Sequence, residues 1–121
     1  MIGIAGLDIA LRVRGLQYTD GRSSAAAGDL FVDAGIAASD VICCVRLGVH
    51  SSSGSHSDAI ALLKTADMGS ERHLSTLLGL KNKAAYTHLD LSTAECKKMN
   101  RAASQLVEAA KRAMASAGPA I

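Results

Sequence analysis

From Ser24 to Leu47, apolar side chains recur at steps of three and four: Leu30, Ala34, Ala37, Val41, Cys44 and Val45. Phe31, Ala38 and Ile42 form a second stripe beside the first. This period matches the turn of an α-helix and predicts one long helix over 24–47. Two apolar stripes mean a helix covered on more than one side, so it is expected at the centre of a bundle. Asp20-Gly21 reads as a turn, Ser23 or Ser24 as a cap, and Gly48 as the helix stop. The stretch "DVICCVRLGV" is β-branched enough for a strand in isolation, yet it continues the helical stripe without a break.

The polar run His50 to Asp58 is a loop, too short to link domains. Ser55, Ser57 or Asp58 can cap a short helix through about Thr65, with Ile60, Leu62 and Leu63 inward. Gly69 stops it, and Ser70 is expected to cap a third helix running to about Tyr86, with Leu74, Leu77 and Leu78 inward and Gly79 weakening it locally. Ser92 followed by Glu95 is a capping box, with Leu91 as its hydrophobic staple. The last helix then presents Cys96, Met99, Ala103, Leu106, Ala110 and Ala113 on one face. Lys97, Lys98, Arg101, Glu108, Lys111 and Arg112 fall largely off that face. No internal repeat marks a second unit. The reading is all-α: an antiparallel up-and-down bundle of four main helices over 23–115, with 1–22 as an arm or fifth short helix and 116–121 as a fraying tail.

Composition narrows the core. The 121 residues are 49% hydrophobic but only 2% aromatic, so Ala, Leu, Ile, Val and Met must fill it. Alanine favours helix and lets helices approach closely. The one proline is Pro119, outside every predicted helix. A net charge of +2 permits a nucleic-acid partner without arguing for one. Cys43, Cys44 and Cys96 are odd in number, and neighbouring helical residues diverge by about 100°. They read as reduced packing residues of a cytoplasmic protein. The start "MIGIAGLDIALRVRG" lacks a basic segment before its apolar run and is too short to cross a bilayer, so no membrane role is expected.

Chemistry is sparse. His50, His56, His73 and His88 have no helical zinc spacing, and no Cys–His pair has finger spacing, so neither metal nor cofactor is expected. The serines of "SSSGSHSD" lack the rigid turn and oxyanion hole that a nucleophile needs. There is no GxSxG, P-loop or GxGxxG. What stands out is "LLGLKNKAAYTH", where Lys81, Asn82, Lys83, Tyr86 and His88 crowd into eight residues. Lysines hold phosphate, an amide orients an attacking group, and an imidazole moves a proton near neutral pH. Without a metal, such a set suits RNA cleavage by the RNA's own 2′-hydroxyl. Equally, these residues read as the solvated side of a helix end.

Two longer stretches, "DAGIAASDVICCVRLGVHSSSGSHSDAIALLK" and "LSTLLGLKNKAAYTHLDLSTAECKKMNRAASQLVEAAKRA", resemble the HEPN family, and more closely its small actinobacterial-type members. The resemblance covers about 23–113. It implies a helical bundle, commonly a homodimer, that binds RNA or a nucleotide, often in toxin–antitoxin and phage-defence systems. Active members are metal-independent ribonucleases with an arginine, often followed by a polar residue, and a histidine separated from the arginine by four to six residues, paired across a dimer cleft. Here Lys81 stands for the arginine, Asn82 for the polar residue, and His88 or Tyr86 for the histidine. Lysine loses the bidentate phosphate fork, and a phenol is no base near pH 7. The expectation is RNA or nucleotide binding in a dimer cleft by Lys83 and Tyr86 beside Lys81, Asn82 and His88, with weak or absent cleavage. The alternatives are an active endoribonuclease toxin held by a cognate antitoxin, and a non-catalytic module for a nucleotidyltransferase-type partner.

Overall fold

A computed structural model describes the backbone of residues 24–87 and 91–116 and the side chains of 27–83 and 91–116. The expected N-terminal arm, the last five residues of the tail, and His88 lie outside the described residues.

The described residues form an all-α bundle with no strand: α1 (Ser24–Leu47), α2 (His56–Ala66), α3 (Glu71–Thr87) and α4 (Thr93–Ser116). Each boundary has a local cause. Gly48, at φ 75°, takes the left-handed conformation that ends α1, and its N–H donates to the Cys44 carbonyl at 2.9 Å. Of the three possible caps for α2 it is Ser55, whose Oγ accepts from the Asp58 N–H at 3.3 Å. The Ser92–Glu95 capping box closes in both directions. Glu95 N–H donates to Ser92 Oγ at 3.1 Å, and Ser92 N–H donates to Glu95 Oε1 at 3.0 Å.

Before α3 the chemistry differs from the expected serine cap. The Ser70 hydroxyl donates backwards to Asp67 Oδ2, while the Glu71 carboxylate accepts the Gly69 N–H at 2.8 and 3.0 Å. Ser70 contributes its carbonyl to the helix, accepting from His73 N–H at 3.0 Å. The Ser70 hydroxyl is thus oriented by a charged acceptor before the helix, and the Glu71 carboxylate satisfies an N–H of the preceding turn.

Helix α1 is central and packs on all three others, most extensively on α4. Phe31, Val32, Ala34, Ala38, Val41, Ile42 and Cys43 are buried around it. The helix directions follow from two glycines. A Cβ on Gly28 would stand 3.6 Å from Met99 Sδ, and one on Gly35 would stand 3.3 Å from Leu106 Cδ1 and collide with Leu77. Seven residues along α1 match seven along α4, so these helices run the same way. Helix α3 returns between them, and the short α2 packs on α1 and α3. Leu74, Leu77, Leu63, Met99 and Leu106 are at most 1% exposed and form the large-residue centre of an otherwise alanine-rich core. Cys43 is buried, Cys44 and Cys96 are half-buried, and all three thiols are free. Burial, with Asp40 and then Cys44 nearby, pushes the Cys43 thiol up to about 11, which keeps it protonated. No described helix is long and apolar enough to cross a membrane.

Gly79 is exposed on α3, and a Cβ there would meet nothing within 4 Å. Glycine costs a helix interior roughly 0.5–1 kcal/mol relative to alanine. Gly79→Ala should therefore stabilise the fold by about that amount, seen as a higher urea midpoint at unchanged slope.

Candidate nucleic-acid interface

The C-terminal half of α3 leaves the core at Leu80, and Lys81, Asn82 and Lys83 are exposed. The helix continues through Tyr86, one turn beyond Asn82, but the Tyr86 side chain is outside the described set, as is all of His88. The described portion of the expected constellation is thus Lys81, Asn82 and Lys83 on a single solvent-facing turn.

Lys83 has a partner that spacing alone did not suggest. Its Nζ lies 2.7 Å from Glu95 Oε2, and the two side chains are 62% and 20% exposed. One carboxylate therefore does two things: Oε1 closes the capping box of α4, and Oε2 ties α4 to the end of α3. The Lys83 ammonium, followed by the Ser92 N–H, holds the Glu95 carboxyl down at about 2. A carboxyl lowered in the folded state adds stability that is present above its ordinary value of 4.5 and lost as pH falls through about 2. Lys83→Met should raise the Glu95 midpoint toward its ordinary value while the capping box persists, as read by ¹³C NMR titration of the side-chain carboxyl. An unmoved midpoint would assign the shift to Ser92.

A second group of cations sits on α4. Lys97 and Arg101 are one turn apart, Lys98 and Arg101 three residues apart, and all three are exposed. They lie off the face that buries Met99, Ala102, Ala103 and Leu106. In the sequence these residues fall off the core face, and the linear order does not say which way that face turns relative to α3. Their three- and four-residue spacing was the available signal. Between 81 and 101 the chain carries five Lys and Arg residues against Asp90 and Glu95. Asp90 lies outside the described residues, and Glu95 is already engaged by Lys83.

His73 does not belong to this group. It sits in the first turn of α3, about 12 Å of helical rise from Lys81. Partial burial, then Arg72, lowers its imidazole, with Glu71 opposing. Among the described residues, no three His, Cys, Asp or Glu side chains are placed to hold a metal ion. The arrangement on the α3–α4 hairpin supplies point-charge donors for phosphate and one amide. Comparison with known proteins returns no match: no family model, no curated protein and no solved structure is similar to this chain.

Proposed function

We propose that the protein binds RNA, or a nucleotide, through the exposed cations of the α3–α4 hairpin, and that it does so in the cytoplasm as a homodimer whose two hairpins line one cleft. The observation that carries this reading is the exposure of Lys97, Lys98 and Arg101 within one arc of α4, whose first turn the Lys83–Glu95 pair ties to the α3 end bearing Lys81 and Lys83. Clustered ammonium and guanidinium groups attract a phosphate backbone, and each phosphate neutralised releases counterions. Asn82 is exposed next to Lys81 and can read a base edge or orient a 2′-hydroxyl. The resemblance to the HEPN family supports the same assignment, including a place in toxin–antitoxin or phage-defence chemistry. Cleavage is weak or absent in this reading. Lys81 offers one point charge where a guanidinium fork would clamp the phosphate, and acid–base work would fall to His88 alone.

The test is fluorescence anisotropy with a labelled 20-nucleotide single-stranded RNA from about 50 to 200 mM salt. Binding should weaken steadily, with a log–log slope near −2 to −3, since each phosphate contact on a single strand contributes about −0.7. No binding at the lowest salt, or a slope near zero, would overturn the proposal. Shortened RNA recovered from the same samples, and lost in His88→Ala, would identify an active ribonuclease instead.

A further inference from the structure

Away from the hairpin, α1, the loop 51–55, α2 and α3 enclose a cleft of about 210 Å³. Ile36, Ala59, Leu74 and Leu78 supply its apolar walls, and the Asp40 carboxylate is its anionic group. Ser51, Ser55 and His56 line it as well. Two of the other polar groups have work to do in the fold. The Ser39 hydroxyl donates to the Gly35 carbonyl at 2.8 Å, and Ser55 Oγ caps α2. Asp40 differs: it is half-buried, yet it makes no hydrogen bond or ion pair among the described residues. Burial raises its carboxyl, and the field of His50 opposes that rise. A carboxylate taken partly out of water without a partner is unfavourable, and a cation placed beside it removes the penalty.

We propose that this cleft is a binding site for a small aliphatic primary amine, its ammonium group against Asp40 and its hydrocarbon arm along Ile36, Leu74 and Leu78. The volume falls below the roughly 300–1,000 Å³ of drug-sized pockets, which limits the guest to a short chain. An ammonium fits better than a metal ion, because the cleft offers one carboxylate and not the oxygen cage of a hard cation. A guanidinium would pair with both carboxylate oxygens, but it is the bulkier head for so small a cleft. Apolar walls reward each methylene that leaves water, so affinity should rise along the series from ethylamine to pentylamine.

The experiment is an NMR titration of ¹⁵N-labelled protein with n-pentylamine, set beside n-pentanol, which has the same arm and no charge. Pentylamine should give saturable shifts at the amides of Ser51, Gly54, Ser55 and Ala59, with an affinity at least tenfold above pentanol. Asp40→Asn should remove that advantage and leave pentanol binding as it was. Asp29→Asn makes the same charge change on an exposed part of α1 outside the cleft and should keep wild-type behaviour. The comparison of amine with alcohol on the unmodified protein needs no variant to fold. Equal affinities, non-saturating shifts, or shifts centred on the α3–α4 hairpin would overturn the proposal.

Discussion

Leu77→Ala is expected to lower the folding free energy by about 2–5 kcal/mol, a large part of the roughly 5–15 kcal/mol available to a domain. Leu77 is fully buried where α3 meets α1, and it fills the space above Gly35 that a Cβ would otherwise occupy. Truncating it removes apolar burial and leaves a void that helices of fixed spacing cannot close. The same contact predicts the behaviour of the glycine. Gly35→Ala alone forces Leu77 aside and crowds Leu106 Cδ1 at 3.3 Å. The overpacking costs about 1–3 kcal/mol, partly offset by about 1 kcal/mol of helix propensity. In the Leu77→Ala background the new methyl enters vacated space, so Gly35→Ala should there be neutral or stabilising. Urea denaturation of the four proteins gives the cycle. Additivity within about 0.5 kcal/mol would mean that the close approach of α1 and α3 is not what requires a glycine.

Reversing the α4 cations should have the largest effect on function. Lys97→Glu, Lys98→Glu and Arg101→Glu together are expected to weaken single-stranded RNA binding about a hundredfold at 50 mM salt and to reduce the magnitude of the salt slope by about 2, three contacts at about 0.7 each. All three side chains are exposed and make no described salt bridge, so the substitutions should leave the core intact. Lys64→Glu, an exposed charge change on α2, should leave binding within about twofold. Lys81→Ala with Lys83→Ala tests the other helix and should likewise abolish binding at moderate salt. Unchanged affinity in both sets would remove the hairpin from consideration. The circular dichroism of each variant should match the parent, because none of these side chains is buried.

The four helices, the Ser92–Glu95 box and the Gly48 stop could be read in advance, because each depends on residues within a turn of one another. The central place of α1 was legible for a related reason: two apolar stripes on one helix require neighbours on two sides. The inward sets of Leu74, Leu77 and Leu78 on α3, and of Met99, Ala103, Leu106, Ala110 and Ala113 on α4, followed from the helical period and are buried as expected. Ser70 was harder, since periodicity does not say that Asp67 stands where it can accept the Ser70 hydroxyl proton.

For the candidate site, residue types and spacing marked Lys81, Asn82 and Lys83 but not what stands across from them. The Lys83–Glu95 pair joins residues twelve apart through a helix reversal, and a carboxylate already assigned to a cap gave no sign of a second role. Asp40 appears in sequence as a lone acid in the apolar run "AASDVICC", the one signal that could have singled it out. That it overlooks a cleft walled by α2 and α3 required the path of the chain after Gly48. Which residues are helical, where the helices stop and which faces are apolar were legible along the chain, because those are short-range consequences of backbone hydrogen bonding and side-chain period. The shared direction of α1 and α4, the meeting of Lys83 with Glu95, and the half-burial of Asp40 with no hydrogen bond or ion pair among the described residues came from the path of the chain. Those depend on close approach between distant segments, where the packing of Gly28 and Gly35 against their neighbours sets the geometry.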